Sequence, residues 1–454
     1  MSDLRLGIVV DSSNVVVVAI DPRDRLVAKA GAPTGDDVRA GLQAALRQIT
    51  LTVEPARVRW VMLASGHAID AASLPRPFGQ VAVIRIGSPL TLAIPPLALW
   101  PAELRLAVSA GEIVVGGGAE YDGGVHTTLD GAAIARFLGQ VAGKIEGVAI
   151  TAVFSTVDPE HELDAAEIVR RELGGGIEIS LSHEIGTLGL LERENATAVN
   201  AALIGPVNDL TGALTEILAG EGVDAEVFLA ANDGSLMVLG YALRFPVLLF
   251  GSAAATSIRG AAHLSGLDEA VVVRATETST EVGMLLHGFP SESAMPLEIA
   301  GVRMSFRLPE VHTLPLGTTR NRNGDDGEVL AGAVARVTAV HGTLPLLAIG
   351  DSRLVVPDGL EGVREVIRPP DAEVAGAVGA AIAPVCGRAD RICRNRPDAQ
   401  RQALEAVRSA AMARAVAAGA DPRTVEIVEL EEAPLTYLAD PLIHIRAKAA
   451  GARG

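Results

Sequence analysis

Aromatic residues make up only 3% of this 454-residue chain, so it offers few rings on which nucleobases could stack. Cysteine is equally scarce. Cys386 and Cys393 are the only two, their spacing fits neither a zinc knuckle nor a redox pair, and both are expected to be buried reduced thiols. No apolar run nears the roughly 20 residues that span a bilayer, and the nearest candidate, PLTLAIPPLALWP, is broken by prolines. Clustered positive charge is missing too. A net charge of −17 opposes nucleic-acid binding, which needs grouped Lys and Arg to neutralise phosphates. The one local basic run, RADRICRNR, reads as a solvated turn or helix end. The opening MSDLRLGIVV has no basic region followed by a long apolar one, as a secretory signal would, so a cytoplasmic location without membrane attachment is expected. No His/Asp/Glu spacing suggests a metal site.

What is present is apolar and glycine-rich: 49% hydrophobic residues and 48 glycines, enough for two or three domains with their own cores. LRLGIVVD and NVVVVAID read as strands around a turn at Ser12–Ser13, with RLVAKAGAPTG as a third strand. DDVRAGLQAALRQIT places Val38, Leu42, Leu46 and Ile49 at helical spacing, and VRWVMLAS is a buried strand. A three-stranded meander, a helix and a strand open a ribonuclease-H-like domain. The same strand-turn-strand opening returns in AVVVRATE and TSTEVGMLLHG, which implies two related domains facing each other across a cleft. Further along, DPEHELDAAEIVRREL is expected to be a helix. So is LERENATAVNAALIGPVNDLTGALTEILAGEG, kinked or split by Pro206. Only the last few residues look disordered.

The stretches VFSTVDPEHELDAAEIV, SLSHEIGTLGLLERENATAVNAAL, AANDGSLMV, SIRGAAHLSGL and RPPDAEVAGAVGAAIAPVCGRADRI are weak singly and strong in this order. Together they resemble the hydantoinase/oxoprolinase family, in its short hydantoinase A form. The resemblance implies an α/β fold of two ribonuclease-H-like domains facing a cleft, as in actin, sugar kinases and heat-shock-70 proteins. It suggests residues 1–185 as the N-terminal-like domain and 186–454 as the second, with a shortened region at 306–345. It also implies ATP and Mg²⁺ as cofactors, opening of a cyclic amide such as a hydantoin, oxoproline or lactam, and a hydantoinase B-like partner subunit. A homo-oligomer is the other association expected.

The family's phosphate loops carry an Asp-x-Gly-Gly-Thr-x-Thr-Asp pattern, in which glycines admit phosphate to the backbone and acids hold Mg²⁺ through water. In the first hairpin the opening Asp falls on Val9, the glycines on Asp11 and Ser12, and the later Thr and Asp on Val15 and Val16; Ser13 and Asn14 keep polar character. Asp11 itself reads as a turn residue, roughly 6–7 Å from the lost acid's position. In the second hairpin the opening Asp falls on Arg274, the glycines on Thr276 and Glu277, and the final Asp on Glu281; Thr278, Ser279 and Thr280 keep hydroxyls. Ala253 and Ala254 replace a Gly-Pro turn, and Gly350 alone survives of a glycine run. His67, Asp122, Asn232 and Asp233, with Arg274 and Glu281, are the candidates for the cleft. His161 and Glu162 read as a helix cap and first-turn charge. With four loops altered together, three functions stay open: a non-hydrolytic structural or regulatory subunit with no cofactor, an active ATP-dependent hydrolase, and a nucleotide-independent binding module.

Overall fold

The computed structural model describes residues 3–454 except 12, 36, 67–77, 121–123, 187–188, 278, 294–297, 300, 316–325, 340, 353–354 and 436–441. The chain opens with β1 (Leu4–Val10), β2 (Asn14–Ile20) and β3 (Leu26–Pro33), crosses through α1 (Val38–Thr50), and returns as β4 (Val58–Ser65) parallel to β1. Leu42, Leu46 and Ile49 are the buried stripe of α1, and the Asp37 side chain caps its N-terminus. Next come β5 (Val81–Ser88), α2 (Ala102–Val108), β6 (Ser109–Gly116), α3 (Gly131–Val141), β7 (Gly147–Ala152), α4 (Glu160–Leu173) and β8 (Glu178–Leu181). Their strands form a separate parallel sheet of order β6-β5-β7-β8.

The short α5 (Ser182–Ile185) and the long α6 (Leu190–Gly220) lead back to β9 (Glu226–Ala230) and β10 (Leu236–Val238) beside β4. Pro206 neither splits α6 nor ends it. A proline cannot donate to the carbonyl four residues before it, and that carbonyl, on Ala202, accepts instead from the Gly79 N–H at 2.9 Å. After α7 (Leu239–Arg244) and α8 (Ser252–Ser265), the strands β11 (Ala270–Ala275), β12 (Thr280–Leu286) and β13 (Phe289–Pro290) begin the third sheet. A small ribbon of β14 (Glu298–Ile299) and β15 (Val302–Arg303) follows, and then β16 (Val311–Leu314), α9 (Asp326–Thr338), β17 (Leu346–Gly350) and β18 (Val366–Ile367). The order is β13-β12-β11-β17-β18, with β16 on β12. Thus β11 pairs antiparallel with β12 and parallel with β17, as β1 does with β2 and β4.

The chain finally returns to the first sheet through α10 (Ala375–Ile382), β19 (Val385–Arg394), α11 (Pro397–Ala417), β20 (Glu426–Leu435) and β21 (Leu442–Gly451), completing the order β20-β21-β19-β10-β9-β4-β1-β2-β3. Sheet pairing therefore crosses the 185/186 point. Two expectations need correction here. RADRICRNR is neither turn nor helix end: it lies mostly in β19, hydrogen-bonded along its length to β21. The C-terminal residues are also placed, since Arg453 bridges Ala420 and the Gly454 N–H donates to the Gly419 carbonyl.

The two halves of the fold are joined by α8 and α10. Ala377, Val378, Ala380 and Ala381 of α10 belong to the core beneath the nine-stranded sheet, while Ile258 and Ala261 of α8 pack with Val272, Leu285 and Leu347 of the six-stranded one. The helices cross backbone to backbone. A Cβ on Gly260 would lie 1.7 Å from the Ala375 carbonyl oxygen, and one on Gly379 would lie 1.8 Å from that of Thr256.

Candidate functional site

The turn after β1 and the turn after β11 line one cavity of about 630 Å³, with Ser13 contributed by the first and Thr276 and Glu277 by the second. Each hairpin places its two altered acid positions directly opposite one another: Val9 faces Val16 across β1 and β2, and Arg274 faces Glu281 across β11 and β12. Val9 and Val16 present hydrocarbon to the cavity.

Arg274 does not pair only within its own hairpin. Its Nε and Nη2 donate to Glu281 at 2.8 and 2.9 Å, and its Nη1 reaches across to Asp11 Oδ2 at 2.8 Å. Asp11 keeps the turn role expected of it, its N–H donating to the Asn14 carbonyl at 2.9 Å, and its side chain adds a bridge between the two hairpins. Burial alone would lower the pKa of the Arg274 guanidinium; the Asp11 and Glu281 carboxylates outweigh that and hold it above its ordinary value.

The remaining hydroxyls are used locally. Asn14 donates to Ser13 Oγ at 3.2 Å. Thr276 Oγ1 accepts from the Ser279 N–H at 3.1 Å and donates to the Ser279 carbonyl at 3.0 Å, and Thr280 is fully buried. Gly350 lines the cavity and has a structural need for glycine: its φ is +65° and a Cβ would lie 2.4 Å from the Ala275 carbonyl oxygen. The cavity's charged lining among the described residues is Asp11, Glu277, Asp351, Glu373, Lys29 and Arg274. Both cations are engaged, since Lys29 bridges Asp371 at 2.6 Å and Glu373 at 2.5 Å.

Asn232 and Asp233 stand elsewhere, at a second cavity of about 200 Å³ on the turn between β9 and β10. The Asn232 side chain donates to the Arg307 carbonyl at 3.0 Å. Asp233 is buried and pairs with Arg388 at 2.9 Å and Lys448 at 2.8 Å. Arg388 and Lys448 are direct cross-strand partners on β19 and β21, a like-charge pairing that is unfavourable alone and that Asp233 neutralises. Burial would raise the Asp233 pKa; Lys448 and Arg388 drive it well below the carboxylate range. The sequence reading missed Arg388 and Lys448, and the available signal was charge alternating along two strands, Arg388/Asp390 and Arg446/Lys448.

Glu162 stands in the first turn of α4 as expected but is buried there, and the N-cap position belongs to Pro159 and not to His161. The Gly118 N–H donates to His161 Nδ1 at 2.9 Å. Glu162, fully buried, accepts from the Ala152 N–H at 2.8 Å, the Ser182 hydroxyl at 2.5 Å, and the His183 N–H at 3.1 Å, with His183 Nδ1 2.6 Å away. This carboxylate ties β7 to the strand-helix junction after β8. Cys386 is buried and Cys393 only half-buried, both as free thiols, so the second departs from expectation. His67, Asp122 and Thr278 lie outside the described residues. Among the described residues no group of three or more His, Cys, Asp or Glu is arranged for a metal, and no helix is long and apolar enough to cross a membrane.

Two sheets with the same β1-β2/β4-type opening, joined by a crossed helix pair over a cleft, define the two-domain actin-like class of α/β proteins. Within it, residues 5–173 match the hydantoinase/oxoprolinase N-terminal region and residues 193–331 match hydantoinase/oxoprolinase: the chain belongs to the hydantoinase/oxoprolinase family. Two solved structures share its fold. The ATP-dependent caprolactamase from Pseudomonas jessenii is 16% identical with a TM-score of 0.78, covering 98% of this chain and 87% of that one. A nucleotide-free structure of acetone carboxylase, reported for the mechanism of ATP-dependent acetone carboxylation, is 12% identical with a TM-score of 0.69, covering 99% and 88%. No curated protein sequence matches the chain.

Proposed function

We propose that this chain is a non-hydrolytic hydantoinase A-like subunit, a structural or regulatory component whose cleft is held by protein charges in place of nucleotide. The observation that carries this reading is Arg274, bound at once to Glu281 of its own hairpin and to Asp11 of the facing one. Mg·ATP does not suit the residues present. Val9 and Val16 offer no oxygen to metal-bound water, and Arg274 stands at a position where the family places an acid. Two unit charges near 4 Å interact by about 4 kcal/mol at an effective dielectric of 20, so the exchange turns an attraction for Mg²⁺ into a repulsion. Thr276 and Glu277 add side chains where bare backbone would meet phosphate, and both cations of the cavity already have carboxylate partners.

The competing reading is an ATP-dependent hydrolase of a cyclic amide. It is favoured by the open volume of about 630 Å³ between the hairpins and by the ATP dependence named for both structural neighbours. In that reading Arg274 releases Asp11 and contacts phosphate directly. An ATPase assay decides between them, run on the purified chain alone and with a co-expressed hydantoinase B-like chain. The subunit reading predicts background phosphate release in both. Turnover abolished by Arg274→Ala would establish the hydrolase.

A further inference from the structure

We propose that the second cavity, at the β9–β10 turn, is a binding site for a small organic carboxylate with an apolar body. The inference does not depend on whether the first cavity takes a nucleotide. The site lies where β9 ends, and β9 runs parallel to β4 and β4 to β1. The carboxyl edge of such strands is the usual ligand edge of an α/β sheet.

The cavity has two unlike walls. One is hydrocarbon and rings, with Phe306, Leu248 and the Tyr241–Phe245 pair, whose ring centroids are 4.8 Å apart. The other is guanidinium. Its inner member, Arg388, is satisfied by Asp233 and Glu292. The outer three are not. Among the described residues, Arg307 and Arg446 share the single carboxylate of Glu431, each at 3.2 Å, and Arg414 makes one bond, Nη1 to the Arg388 carbonyl at 2.9 Å. A guanidinium has five N–H donors, so this wall keeps spare donors in planar forks that match a carboxylate.

The chemical class follows from charge and size. Glu184, Asp390, Glu429 and Glu431 also line the cavity, so a monoanion suits it better than a phosphate dianion. A volume of about 200 Å³ is below the roughly 300–1,000 Å³ of drug-sized pockets and fits one ring or short chain with its carboxylate.

The test is calorimetric titration of the full-length protein with sodium benzoate, using benzamide and benzylamine as neutral and cationic isosteres. Benzoate is expected to bind at least about tenfold more tightly than either. Arg414→Gln, on an exposed helix face, and Arg446→Gln are each expected to weaken benzoate about tenfold without lowering the melting temperature. Cys386 lines the cavity and locates the ligand: in a Cys393→Ser background, benzoate should slow the reaction of Cys386 with the neutral reagent 4,4′-dithiodipyridine. Equal binding of all three isosteres, benzoate binding untouched by both substitutions, no protection of Cys386, or no saturation by benzoate at about 10 mM would each overturn the proposal.

Discussion

Arg274 and Asp11 meet although they are 263 positions apart in sequence, and that contact gives the cleft its character. Their side chains are 12% and 22% exposed, so the bridge is screened less than a surface pair. Arg274→Met would leave two carboxylates without their shared cation and is expected to destabilise the fold by about 1.5–3 kcal/mol, read from the urea midpoint. A double-mutant cycle of Asp11→Asn with Arg274→Met should show coupling of about 0.5–3 kcal/mol; strict additivity would mean that the bridge is not formed in solution. Asp233 makes a second residue-scale prediction. Its folded-state pKa is depressed, so its stabilisation is complete above the unfolded value near pH 4 and is lost as pH falls towards the folded one. Asp233→Asn should cost about 3–5 kcal/mol at neutral pH, because Lys448 and Arg388 lose their buried counter-charge, and should flatten the acid limb of the stability curve below about pH 4.

At the scale of elements, the crossing of α8 and α10 leaves no room for a side chain at Gly260 or Gly379. Either glycine changed to alanine should separate the helices and cost about 3 kcal/mol or more, measured by thermal unfolding, whereas Gly212→Ala on α6, with nothing within 4 Å of its added Cβ, should be neutral or mildly stabilising. The opening elements β1 to β4 and the repeat in β11 and β12 were legible because period-2 and period-3.6 patterns depend only on neighbours in sequence. The split expected at Pro206 does not occur because the carbonyl it leaves free is taken by a distant donor, Gly79. RADRICRNR was misread because its polar groups are satisfied from other segments: Asp233 and Glu292 pair with Arg388, and His444 Nε2 lies 2.6 Å from the Asp390 carboxylate. The same limit hid the role of Asp11. Its turn chemistry is local and visible, while its ion pair exists only once two hairpins face each other.

At the scale of the whole molecule, two cores are linked through a helix pair, and an ion pair spans the cavity between the hairpins they carry. A subunit of this kind is expected to act by association. Light scattering after size-exclusion chromatography should show self-assembly or a complex with a hydantoinase B-like chain, and a strict monomer that ignores that chain would count against the subunit role. The most direct measurement is isothermal titration of the unmodified protein with Mg·ATP. A single lost contact costs roughly 1–3 kcal/mol, and every 1.4 kcal/mol is tenfold in affinity, so losses at both hairpins together move a micromolar site beyond about millimolar. The account predicts no binding heat at physiological nucleotide concentration, with some binding recovered when Val9→Asp, Asp11→Gly, Ser12→Gly, Arg274→Asp, Thr276→Gly and Glu277→Gly are combined. Tight, magnesium-dependent binding of ATP by the unmodified chain would contradict it.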